Sequence, residues 1–70
     1  MAEGLTNHLR QARAERGWTQ AELAERVGVS RKTINTVENG VFIPSTTLAL
    51  KVARAMETTV ELLFQLPPRA

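Results

Sequence analysis

Apolar residues recur along the chain at helical spacing in five short bursts, and the residues between the bursts carry helix start and stop signals. Leu5, Leu9 and Ala12 fall at i, i+4 and i+7 and predict a first helix over about 5–16, with Thr6 a candidate cap and Gly17 the stop. Thr19 and Glu22 have the spacing of a capping box, and Trp18 and Leu23 that of a hydrophobic staple. Leu23, Ala24 and Val27 then make one apolar stripe, and Gly28 ends the second helix. Ser30 caps a third helix with Ile34 and Val37 inward, Val29–Ile34 as staple and Asn39-Gly40 as stop. A fourth helix starts at Ser45 or Thr46 and runs to about Met56, with Leu48, Ala49, Val52, Ala53 and Met56 on its core side. Thr58 or Thr59 caps a fifth, to about Gln65, with Val60, Leu63 and Phe64 inward; Thr58 with Glu61 fits a capping box. Pro67-Pro68 closes the structure. No strand pattern, repeat or low-complexity segment is found. The prediction is an all-α fold, five short helices around one core. Between the third and fourth helices, Val41-Phe42-Ile43 is unusually apolar, and at least one of the three is expected to plug the core.

The third helix breaks a local rule. The first turn of a helix carries the positive end of the macrodipole and prefers acidic residues, yet this one opens Arg31-Lys32. Each misplaced cation costs about 0.3–1 kcal/mol in isolation. Such violations are expected at functional sites, and a polyanion docking there turns the cost into a gain. Arg31, Lys32, Asn35, Thr36 and Asn39 share the side opposite the core stripe.

Composition narrows the chemistry. Seventy residues allow one domain with a thin core. The absence of cysteine rules out disulfides and thiolate metal sites, and the one histidine, His8, cannot build a metal cluster alone. No apolar run has the ~20 residues of a membrane span and no signal-peptide pattern opens the chain, so a cytoplasmic protein without membrane contact is expected. No nucleophile–base–orienter set, Gly-rich phosphate loop or paired acids suggest an enzyme, and no cofactor is implied. Net charge is +2, unevenly spread. Between Arg10 and Lys32 six basic residues face three acidic ones, whereas beyond Thr33 the charges cancel.

Taken together, Gly17-x-Thr19-Gln20, Leu23-Ala24, Val27-Gly28-Val29-Ser30, Ile34 and Glu38-Asn39-Gly40 resemble the Cro/repressor-type (XRE) helix-turn-helix family over about residues 5–64. The resemblance implies a five-helix Cro/repressor-like bundle whose third helix, residues 30–39, enters the major groove of double-stranded DNA. It puts Arg31, Lys32, Asn35 and Thr36 at base edges. Gln20, Ser30, Thr33 and Asn39 would hold phosphates, with Arg10 a further phosphate candidate. Arg13 and Glu38 match an ion pair that ties the first helix to the third in relatives. Two departures stand out. Val41-Phe42-Ile43 occupies a loop that often carries a cation, and Glu57-Thr58 stands where relatives often have Gly-Val.

Leu50, Leu62 and Leu66 lie off the core stripes and with Phe42 form a candidate second apolar patch. Scattered surface leucines are ordinary in a small monomer; the functional alternative is a homodimer contact. Domain organisation is expected as a flexible lead over 1–4, a DNA-binding domain over 5–66 and a tail over 67–70. Two functions fit: a homodimeric, sequence-specific transcriptional regulator, a repressor in type, on a pseudo-palindromic operator, or an antitoxin-like or adaptor module that uses the leucines to hold a protein partner.

Overall fold

A computed structural model describes residues 5–68. The expected lead over 1–4 and the last two residues of the tail lie outside them. The elements run β1 (Thr6–Asn7), α1 (Leu9–Glu15), α2 (Gln20–Val27), α3 (Arg31–Glu38), α4 (Thr46–Ala55), α5 (Val60–Leu63) and β2 (Phe64–Gln65). Five helices enclose one core, as the pattern requires. Leu9, Leu23, Ile34, Val37, Val52, Met56 and Leu63 are its fully buried members, and Leu5, Ala12, Trp18, Val29 and Val60 pack around them.

Both ends of the helical pattern need correcting. Residues 5–8 do not belong to the first helix, because β1 pairs antiparallel with β2, Thr6 opposite Gln65 and Asn7 opposite Phe64. Thr6 is therefore not a cap. Asn7 takes that task, its Oδ1 accepting from the Leu9 amide at 2.9 Å while its Nδ2 donates to the Val37 carbonyl at 2.6 Å. One side chain thus fixes the start of α1 and the end of α3. The fifth helix stops at Leu63 rather than Gln65, and Thr59, not Thr58, caps it by accepting from the Leu62 amide. The strands leave no pattern in the sequence, because two residues cannot display an alternation.

Local start signals act as read. Thr19 and Glu22 form the complete capping box, and Ser30 and Ser45 accept from the amides of Thr33 and Leu48. Gly28 sits at φ 89°, a left-handed turn open to glycine without steric cost, and this sets the sharp entry from α2 into α3. Helices α1, α3 and α4 end in one and the same double-bonded turn. In α4 the Thr58 amide donates to the Ala53 carbonyl and the Glu57 amide to the Arg54 carbonyl. The left-handed position of that turn is glycine at 17 and 40 but Glu57, at φ 55°, after α4. The Glu57 departure is thus accommodated with strain rather than by a different turn. Arg16 adds a tie across the bundle, donating to the carbonyls of Ala12 and Met56.

The loop after α3 differs from expectation. Val41, Phe42 and Ile43 are all exposed, by 78%, 47% and 74%, so none plugs the core. The amides of Val41 and Phe42 are both spent on the Thr36 carbonyl, which holds the loop against the end of α3 and leaves its side chains outside.

Candidate nucleic-acid interface

The capped start of α3 projects a short polar surface. Arg31 and Lys32 are exposed, and among the described residues neither has an ion-pair or hydrogen-bond partner. Ser30 Oγ accepts from the Thr33 amide at 3.1 Å and lies 3.0 Å from Thr33 Oγ1. Thr36 donates its hydroxyl proton to the Thr33 carbonyl at 3.0 Å. What Thr36 then offers outward is a methyl group and an acceptor, not a donor.

Behind this surface lies a buried anchor. The Glu38 side chain is 0% exposed and faces Arg13, whose Nε and Nη2 donate to its two oxygens at 2.6 and 3.1 Å. Arg13 also donates to the Trp18 carbonyl at 2.8 Å, so one guanidinium joins α1, the α1–α2 turn and α3. Gln20 Nε2 donates to Glu38 Oε1 at 3.0 Å, and Arg10 Nε lies 3.5 Å from the same oxygen. Burial pushes the Glu38 carboxyl up. The hydrogen bonds from Arg13 and Gln20, the Arg13 charge and the bond from Arg10 outweigh it and hold the carboxyl below its usual range. Arg13 is held above its usual value, chiefly by its bond to Glu38.

The anchor continues outward as a chain of amides. Asn35 Nδ2 donates to Gln20 Oε1 at 3.3 Å, Asn39 Nδ2 donates to Asn35 Oδ1 at 3.3 Å, and Arg10 Nη2 donates to Asn39 Oδ1 at 2.7 Å. These bonds fix which end of each amide is oxygen. Gln20, Asn35, Asn39 and Arg10, singled out separately in the sequence, are therefore one network rooted on Glu38. Each retains further donors for a ligand: a second amide proton on Asn35 and Asn39, and unused guanidinium protons on Arg10. Neither this linkage nor the roles of Asn7 and Arg16 leave a local signature in the chain, because they depend on contacts between distant segments.

The leucine patch divides. Leu50 and Leu66 line one apolar groove of about 440 Å³ with Leu5, Ile43, Val60 and Phe64. Leu62 borders a separate hollow with His8, Gln11 and Arg16. Phe42 lies apart from both, beside Lys32, Thr33, Thr36 and Val41 on the side of α3. The four residues thus border three different hollows.

Comparison with known proteins fits this geometry. A helix-turn-helix family profile matches residues 9–63. The chain belongs to the Cro/repressor-type helix-turn-helix family. It has the DNA-binding fold of transcriptional regulators, and the five-helix bundle is the architecture of its neighbours. An uncharacterised HTH-type transcriptional regulator, YgzD of Bacillus subtilis, is 39% identical over 62 residues, spanning 89% of this chain and 94% of that one. The antitoxin HipB of Escherichia coli is 34% identical over 58 residues, 83% of this chain and 62% of HipB. Among solved structures, the master regulator for biofilm formation SinR in complex with DNA superposes with a TM-score of 0.73 at 29% identity, covering 77% of this chain and 87% of SinR. In this family member, no helix among the described residues is long and apolar enough to cross a membrane.

Proposed function

We propose that the chain is a cytoplasmic, sequence-specific regulator of transcription that works as a homodimer on a pseudo-palindromic operator. The observation that carries the reading is the exposed, unpaired Arg31-Lys32 start of α3, a helix tied to α1 and α2 by a network that ends on a buried carboxylate. Arg31 and Lys32, with Asn35 and Thr36, meet base edges; arginine and lysine suit guanine, asparagine suits adenine. Gln20, Ser30, Thr33, Asn39 and Arg10 hold flanking phosphates. Two copies joined through Leu50, Leu62 and Leu66 present their recognition helices about 34–36 Å apart, one turn of the duplex. Binding to an operator selected from random duplexes tests this. Arg31→Ala should cost roughly 1–3 kcal/mol and relax specificity at one base pair, and Lys32→Ala should lower the salt dependence. Unchanged binding in both variants refutes the assigned face.

A second reading has its own support. The similarity to an antitoxin suggests a toxin-like protein partner on the Leu50/Leu66 groove, without excluding DNA. Sedimentation separates the two: a dimer alone favours the first, a monomer that associates only with a second protein the second.

A further inference from the structure

The loop after α3 poses a chemical question. Three large apolar residues stand in solvent after α3, and none serves the core. Two of them, Val41 and Phe42, join Lys32, Thr33 and Thr36 around an open hollow of about 340 Å³. Most of the polar hydrogens around this hollow are already engaged. The Thr36 hydroxyl donates to a helix carbonyl, the Thr33 hydroxyl pairs with Ser30, and the amides of Val41 and Phe42 bond the Thr36 carbonyl. What remains is a set of methyl groups, an aromatic ring and the aliphatic stem of a lysine whose charge stays free at the rim. An apolar recess bounded by a cation suits an apolar group carried on a polyanion. In duplex DNA the major-groove edge offers one such group, the C5-methyl of a pyrimidine, which threonine methyls and phenylalanine contact well.

We propose that this hollow receives a pyrimidine C5-methyl, so that Val41 and Phe42 make an apolar base contact where a phosphate grip is missing. The inference rests on the DNA-binding reading above. It adds Val41 and Phe42 to the specificity-determining residues and moves Phe42 from the dimer contact to the DNA side. Thymine and 5-methylcytosine carry the same methyl, and the test separates them.

The experiment starts from the duplex sequence that the full chain enriches from a random pool. Deoxyuridine replaces each thymine in turn, and 5-methyldeoxycytidine replaces each cytosine in a parallel set. Loss of one contacted methyl should weaken binding about four-fold, and gain of one should strengthen it by the same factor. A position in the first set identifies thymine as the occupant; a position in the second identifies 5-methylcytosine. In the Val41→Ala/Phe42→Ala variant, whose replaced side chains lie outside the core, the methyl effect should vanish, and where thymine is the occupant binding to the parent duplex should fall by about the same four-fold; a thermal melt checks that the fold is kept. Insensitivity to every methyl, or sensitivity that survives in the variant, overturns the proposal while leaving the DNA-binding reading intact. A chain that enriches no duplex overturns both.

Discussion

Substituting Glu38 with glutamine keeps the shape of the side chain and removes its charge. In the native chain that charge meets Arg13 at 2.6 Å in a place where the carboxylate has no solvent exposure and the guanidinium side chain has 15%. Breaking one partner of a buried pair costs about 3–5 kcal/mol, because the remaining charge is stranded. Arg13 keeps its bond to the Trp18 carbonyl and a little water, which puts the expected cost at the lower end, about 3 kcal/mol. The glutamine amide also turns donors toward Gln20 or Arg13, which are themselves donors at that point. For a domain of this size, whose whole stability is on the order of 4–10 kcal/mol, this is a large fraction. Thermal unfolding followed by circular dichroism should show Tm falling by roughly 12–24 °C. A double-mutant cycle with Arg13→Met assigns the loss to the pair: the double variant should be less damaged than the two single losses added, by about 2 kcal/mol or more. A Glu38→Gln loss below about 1 kcal/mol, or strict additivity, refutes the claim that this ion pair secures α3.

Three further outcomes follow. Because the folded Glu38 carboxyl lies below its usual range, the unfolded chain takes up its proton first; stability from this group is present above about pH 4.3 and is lost as pH falls through the lower folded value. Urea titrations at successively lower pH should show wild type and Glu38→Gln converging in acid, and a gap that stays constant contradicts the assignment. Glu57→Gly should stabilise the chain by about 0.5–1 kcal/mol by relieving the left-handed φ after α4, visible as a higher urea midpoint at unchanged slope; a loss instead means the side chain at 57 contributes more than the strain removes. On the homodimer proposed above, Leu50→Glu together with Leu66→Glu should shift sedimentation from dimer to monomer while leaving the monomer's own stability within about 0.5 kcal/mol, since both side chains are exposed; an unchanged sedimentation refutes that interface.

Local chemistry was the legible part of this fold. Thr19, Ser30 and Ser45 each sit three residues before the amide they cap, so a reader of the chain finds them without knowing the tertiary structure. The core stripes from Leu23 to Met56 were legible for the same reason, since helical spacing decides which residues share a side. The β1–β2 pairing was not, because residues 6 and 65 become neighbours only after everything between them has folded. Apolar character misled at Val41-Phe42-Ile43: hydrophobicity predicts burial, whereas the loop's backbone bonds to Thr36 hold those side chains outside. At the candidate interface, Arg31 and Lys32 declared themselves by violating the dipole preference. The dependence of Gln20, Asn35, Asn39 and Arg10 on one buried carboxylate could be seen only in three dimensions.

The two-residue pairing of β1 with β2 also sets when, during synthesis, the fold can close. Thr6 and Asn7 leave the ribosome early, but their partners are Gln65 and Phe64, and the His8 amide waits for the Leu63 carbonyl. Helices α2 and α3 can form against one another while translation continues, and Arg13 can then tie α1 to Glu38, but the strand before α1 lacks its partner until the exit tunnel has released residue 65. A premature stop before Phe64 therefore leaves Thr6 and Asn7 without their strand partners, while the Arg13–Glu38 tie between α1 and α3 can still form.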